Sequence, residues 1–154
     1  MFDLQRAFHT GIAVADLDRE MQRMGAALQL GWAPVRRFDP LPFWTPEDGR
    51  HEVSVSATYS RQGPLHLELV QGTGRFYAPG GQAQARHLGV WVDDLAWEAG
   101  QLVAAGWAVR AAGDAPEAGY GAICYIASPD GSLLLELVST ILEPVIRAWI
   151  AAEA

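Results

Sequence analysis

FHTGIAVADLDREMQRMGAALQLGW (residues 8–32) and RHLGVWVDDLAWEAGQLVAAGW (residues 86–107) follow one pattern. Each runs histidine, any residue, glycine, an apolar residue, any residue, valine, any residue, aspartate, leucine. A helical stretch and a Gly-Trp pair come next. His9 therefore matches His87, Gly11 matches Gly89, and Asp16-Leu17 matches Asp94-Leu95. Gly31-Trp32 matches Gly106-Trp107 after a second helix three residues shorter. Farther on, PLHLELVQG (64–72) lies over SLLLELVST (132–140), which pairs Glu68 with Glu136. Matches in the same order in both halves identify a duplicated unit of roughly 70 residues.

Periodicity gives each unit the same order of elements. Apolar or alternating runs predict opening strands near 8–15 and 86–93. Helices follow near 17–30 and 95–105, with Asp16 and Asp94 as N-caps and Gly31 and Gly106 as C-caps. In the first helix Leu17, Met21, Met24 and Leu28 share one face. Further strands are expected near 32–37, 52–60 and 64–71, then near 107–112, 120–127 and 132–138. Each unit is βαβββ. The fold class is α+β: one domain over 1–154, with module one at 7–72, a linker at 73–85, module two at 86–139 and a C-terminal helix at 140–154. The linker glycines lack a following Gly-Lys-Ser/Thr and make no phosphate loop. The tail carries Pro144 in its first turn, where proline is tolerated. Its apolar face is Val145, Ile146, Trp149 and Ile150, suited to docking on the core, to a dimer contact or to a lid.

Composition narrows the classes of function. Half of the residues are hydrophobic and 19% are charged, enough for a core and contrary to disorder. A net charge of −7 disfavours nucleic-acid and anionic-membrane partners. No stretch reaches membrane-span length and the first residues lack a signal-peptide layout, so a cytoplasmic protein is expected. The single cysteine, Cys124, sits in the apolar run GAICYIAS and reads as a buried structural thiol. The sequence contains no lysine, which excludes Schiff-base chemistry and lysine bases.

Four ligand-type residues stand at equivalent places in the two units. Strand alternation puts Glu68 and Glu136 within strongly apolar strands. An isolated buried carboxylate costs several kcal/mol and needs a cation, and no lysine exists to supply one. A divalent ion held by His9, Glu68, His87 and Glu136 would satisfy both. Two nitrogen and two oxygen ligands suit Zn, Ni, Co, Mn or Fe(II). Gly11 and Gly89 follow the histidines by two positions and are expected to leave space for substrate beside the metal. Trp91 shares that face opposite Ala13 and is expected to form one aromatic wall.

Across residues 7 to 139, FHTGIAVADLD, LHLELV, RHLGVWVDDL and SPDGSLLLELV resemble the ligand-bearing segments of the vicinal oxygen chelate superfamily, which includes glyoxalase I, methylmalonyl-CoA epimerase, extradiol dioxygenases and bleomycin-resistance proteins. The resemblance implies paired βαβββ units whose curved mixed sheet forms a cup around one divalent metal, with His9, Glu68, His87 and Glu136 as its ligands. It implies a metal-dependent lyase, isomerase or epimerase that chelates a carbonyl or vicinal-oxygen substrate and moves a proton through an enolate-like intermediate. Glu136, or else Glu68, is then the proton-transferring carboxylate. By analogy with epimerase-like relatives Glu52 is a further candidate base, and His66, two residues from Glu68, a candidate acid or base. The proline- and aromatic-rich segment 37–51 is expected as a loop whose Phe43 and Trp44, with Phe76 and Tyr77, line an apolar substrate pocket. No obvious basic cluster for coenzyme A or glutathione is present, although Arg36-Arg37 or Arg75 could serve. The resemblance also implies a homodimer. An Fe(II) dioxygenase and a metal-free binding or resistance protein are the alternatives; a fourth ligand argues against the first, and retention of all four ligands against the second.

Overall fold

The computed structural model describes residues 1–78, 80 and 86–153. Of the linker expected over 73–85, residues 79 and 81–85 lie outside the described residues, as does Ala154 of the expected C-terminal helix.

The first half runs β1 (Ala7–Ala13), α1 (Leu17–Leu28), β2 (Arg36–Thr45), β3 (Gly49–Tyr59) and β4 (His66–Gly72). A short helix α2 (Gly74–Tyr77) leads into the second half. That half is β5 (His87–Val92), α3 (Leu95–Ala104), β6 (Ala108–Ala112), β7 (Ile123–Ala127) and β8 (Leu134–Ser139). The helix α4 (Glu143–Ala151) closes the chain. Both halves are βαβββ. Their strands form one mixed, closed sheet in the order β1-β4-β3-β2-β6-β7-β8-β5.

The aspartates start both long helices in the same way. Asp16 accepts a hydrogen bond from the Arg19 amide, and Asp94 from the Trp97 amide. The two ends differ. Gln29, not Gly31, takes the left-handed conformation after α1, at φ 56°. After α3 it is Gly106, at φ 94°, whose amide returns to the Val103 carbonyl.

Segment 37–51 is not a loop. It forms most of a long hairpin, β2 turning at residues 45–49 into β3. Pro40 and Pro42 sit beside a register shift between Phe38 and Leu41. The next strand, β6, is joined to β2 only through Trp44 and Ala112. Prolines are tolerated at such an irregular, nearly free strand edge.

Two apolar clusters hold the fold. One fills the barrel with Phe8, Phe43, Val53, Val55, Tyr59, Val70 and their neighbours. The other seals α3 to the outer face of module two, where Leu95 and Ala99 pack with Cys124, Ile126, Leu135 and Leu137. Leu135 and Leu137 therefore face outward and Glu136 inward, as strand alternation requires.

The register between β1 and β5 decides where the imidazoles go. These strands are antiparallel, with His9 opposite Gly89 and Gly11 opposite His87. A Cβ placed on Gly89 would overlap the His9 ring, and one on Gly11 would overlap the His87 ring. The space beside each glycine thus holds the other module's imidazole rather than substrate.

Gly89→Ala is therefore expected to destabilise the protein by about 1–3 kcal/mol, the usual cost of overpacking. Gly100→Ala, in α3 with open space around the added methyl, should stabilise it by about 0.5–1 kcal/mol. Urea denaturation of both variants checks the pair. Equal midpoints for the two variants would contradict it.

Candidate metal centre and its cavity

The module ladders bring the ligand-type residues to one level of the barrel. Gly11 pairs with Glu68 between β1 and β4, and Gly89 with Glu136 between β5 and β8. Combined with the β1–β5 register, this places two histidines and two glutamates around one centre. His9 Nε2 lies 3.2 Å from His87 Nε2, 3.6 Å from Glu68 Oε1 and 3.8 Å from Glu136 Oε1. His87 Nε2 lies 3.3 Å from Glu68 Oε1 and 3.7 Å from Glu136 Oε2. One donor atom from each residue falls within 4.8 Å of all the others.

Burial is nearly complete: His9 is 0% exposed, His87 2%, Glu136 5% and Glu68 7%. Among the described residues, both carboxylates pair with imidazoles only. Glu68 Oε1, which faces both Nε2 atoms, has no hydrogen-bond partner. Orphaned buried groups of this kind are costly in protein alone. The donor set fits a divalent ion. Bonds of about 2.0–2.2 Å to nitrogen and oxygen require neighbouring donors roughly 3–3.6 Å apart, close to the spacings found.

The electrostatics of the four side chains are lopsided. Burial, and then the charge of Glu68, push Glu136 up to about 7. Burial also acts to raise Glu68, but the His9 and His87 charges and contacts outweigh it and hold Glu68 below its ordinary value. Burial pushes His9 down to about 4, so its ring is neutral at pH 7 and has a lone pair to offer. For His87 burial is opposed and overcome by Glu68 and Glu136, which raise it.

Glu68 and Glu136 form the floor of a cavity of about 420 Å³. Its walls are apolar: Val55, Ala57 and Val70 from module one, Ile123 and Val138 from module two. Ile146 and Trp149 of α4 form the side between them. Tyr59, Tyr77 and Tyr125 also line it. Tyr59 is the cross-strand partner of Glu68, and Tyr125 that of Glu136. Burial and the neighbouring carboxylates raise all three phenols well above their ordinary value, so they stay protonated. The Tyr77 and Tyr125 hydroxyls are 3.0 Å apart.

Other residues singled out from sequence stand elsewhere. Glu52 is exposed, on the face of β3 opposite the inward Val53 and Val55. His66 is half-buried, bonds through Nδ1 to the Ser60 carbonyl, and lines smaller clefts beside Arg147. Phe43 packs in the core against Phe76 and Tyr77. Trp44 packs at the edge of the α3 cluster. Trp91 stacks on Phe8 at 3.8 Å. Of the expected pocket residues only Tyr77 lines the cavity at the carboxylates. Burial first, then Glu136, pushes the Cys124 thiol up to about 12, which fits a structural role. Tyr59 and Tyr125 join the site only through the strand pairing. A signal was present, since each ends or centres the strand before its glutamate.

A family model described as the glyoxalase/bleomycin resistance protein/dioxygenase superfamily matches residues 8–125. No curated protein matches the sequence. Among solved structures, methylmalonyl-CoA epimerase from Mycobacterium tuberculosis is similar at TM-score 0.53 and 17% identity, over 90% of this chain and 92% of that one. A hypothetical protein from Bacillus halodurans C-125 is similar at TM-score 0.51 and 16% identity, over 86% and 92%. At these identities the likeness is one of fold.

Metal ligands must be deprotonated, so an ion has to displace the proton that Glu136 holds below about pH 7. Zinc affinity should therefore fall on acidification below about pH 7, approaching tenfold per pH unit for each proton displaced, one from Glu136 and one from the raised His87. Calorimetry in two buffers of different ionisation enthalpy should detect proton release near pH 6. A flat affinity from pH 6 to 8 without proton release would contradict this.

Proposed function

The chain belongs to the glyoxalase/bleomycin resistance protein/dioxygenase superfamily, and on that premise we propose that it is a divalent-metal-dependent lyase, isomerase or epimerase. Its substrate is a small, largely apolar molecule bearing a carbonyl or vicinal oxygens. The observation that carries the proposal is the convergence of His9, Glu68, His87 and Glu136 on one centre whose two glutamates line a mostly apolar cavity. In this reading those four residues hold the ion, and the cavity above them takes the substrate.

When bound, a divalent ion supplies Lewis acidity, which lowers the cost of negative charge on a neighbouring carbonyl oxygen. Moving the proton falls to the protein. Glu136 lines the cavity beside the centre and is the carboxylate assigned the general-base role. Its carboxylate takes the proton from the carbon beside the carbonyl, holds it, and returns it to that carbon or its neighbour. Glu68, held below its ordinary value, stays ionised as the fixed anionic ligand. Tyr59, Tyr77 and Tyr125 stay protonated and offer hydrogen-bond donors without becoming bases. The walls around the two carboxylates are mostly apolar, which strengthens electrostatic interactions at the reacting end.

Two features weigh against the alternatives. Fe(II) oxygenases of the common type use two histidines and one carboxylate with open positions, and Glu68 adds a fourth protein donor. A metal-free binding protein gains nothing from two buried carboxylates facing two imidazoles, which would only burden its stability. All four donors come from one chain, so a homodimer is not required to complete the centre.

Metal-loaded protein in D₂O should exchange the acidic C–H of at least one member of a panel of aryl-substituted α-hydroxyketones and β-dicarbonyls, read by NMR. Glu136→Gln should slow that exchange by about a hundredfold or more. No exchange across the panel, or exchange equally fast in the variant, would refute the proposal.

A further inference from the structure

Most arginines near the cavity are already committed. Arg37 pairs with Asp39 at 3.0 Å and Arg147 with Glu143 at 2.6 Å. Arg75, another candidate cation, pairs with Asp48 at 3.3 Å. Arg36 differs. It lines the cavity, and among the described residues it makes no ion pair or side-chain hydrogen bond. Its guanidinium carbon instead lies 5.0 Å from the centre of the Trp149 ring. Trp149 is only 5% exposed and is pinned by its own Nε1–H, which donates to the Pro34 carbonyl at 2.6 Å. A guanidinium held over an indole without an ion pair of its own has N–H donors to offer, and such a fork grips a carboxylate with two bonds.

The strand ladders set the distance between this cation and the floor. Arg36 is level with Ala57 and Val70, whereas Glu68 is level with Tyr59. The offset is two residues along the strands and two strands across, about 7 Å by 10 Å. Between the two ends the lining is apolar, with Val55, Ala57 and Val138. Apart from the tyrosines, Arg36, Glu68 and Glu136 are the only ionisable residues that line it among the described residues.

We infer that the substrate of this cavity is an apolar carboxylic acid, bound with its carboxylate on Arg36 and its reacting oxygens toward Glu68 and Glu136. This rests on reading the cavity as the substrate site, and adds a specificity residue to it. One guanidinium matches one carboxylate. A polyphosphate-bearing thioester would meet a single cation here, and the carrier-free acid is the better match.

The test uses 4-phenylbutyrate and 4-phenylbutyramide, which have equal size and differ in charge. Their dissociation constants are measured by NMR titration on metal-free protein, so that the carboxylate cannot bind an ion instead. Wild type should prefer the acid by about tenfold or more. Arg36→Gln should bind acid and amide equally, with amide affinity within about twofold of wild type. Arg37→Gln should behave as wild type. If Arg36→Gln does not fold, Arg36→Lys serves: it keeps the charge but loses the fork, and should cut the preference at least threefold. No preference in wild type, or a preference that survives both Arg36 substitutions, overturns the inference. Zinc titration of the same preparations separates this from the metal reading. Acid preference without zinc binding would sink the metal reading and leave Arg36 standing, and zinc binding without acid preference would do the reverse.

Discussion

Glu68 and Glu136 sit 7% and 5% exposed inside a barrel, and among the described residues their ion-pairing partners are two imidazoles that carry little positive charge unless protonated. Two like charges in a dry interior repel, and each alone loses several kcal/mol of solvation. Without an ion, Glu136 relieves this by keeping a proton to about pH 7. A divalent ion relieves it without a proton and takes up the orphaned Glu68 oxygen as well. That constraint fixes which side chains can surround the centre and why the cavity above it is otherwise apolar.

Duplication is the means by which one short unit builds such a centre. A single βαβββ unit supplies one histidine and one glutamate, too few to hold an ion. The antiparallel β1–β5 pair sets each histidine opposite the other unit's glycine, so the two units exchange imidazoles across their junction. The parallel β1–β4 and β5–β8 pairs then bring each glutamate to the level of the glycine in its own unit. The missing side chains of Gly11 and Gly89 are as necessary as the histidines that fill their places. The units differ around the cavity. Arg36 and the long β2–β3 hairpin have no equal in module two, whose β6 has only five residues.

What was legible in the sequence was what repetition and alternation encode. His9, His87, Glu68 and Glu136 stood out because they recur, and strand parity put both glutamates on the inner face. The order of elements followed from the same repeats. Features that depend on which strands become neighbours were not legible. The glycines were assigned to substrate space because a single strand does not reveal the partner across it. Phe43, Trp44 and Trp91 were assigned to the pocket on residue type, yet parity turns Trp44 away from Phe43 and the Phe8 ring takes up Trp91. Glu52 fails on parity too, one residue from the inward Val53. Segment 37–51 looked like a loop because Asp39-Pro40 and Pro42 break a normal strand signal; the register shift that tolerates them is a tertiary feature. Tyr59 and Tyr125 become meaningful only once the hairpins place them beside the glutamates.

The most direct test is a crystal structure of the protein grown with cobalt(II) and measured at the cobalt absorption edge. A resident divalent ion predicts a single strong anomalous peak inside the barrel, about 2.0–2.2 Å from one donor atom of each of His9, Glu68, His87 and Glu136. A barrel interior without such a peak, or cobalt bound only at surface residues, would contradict the metal centre and everything built on it.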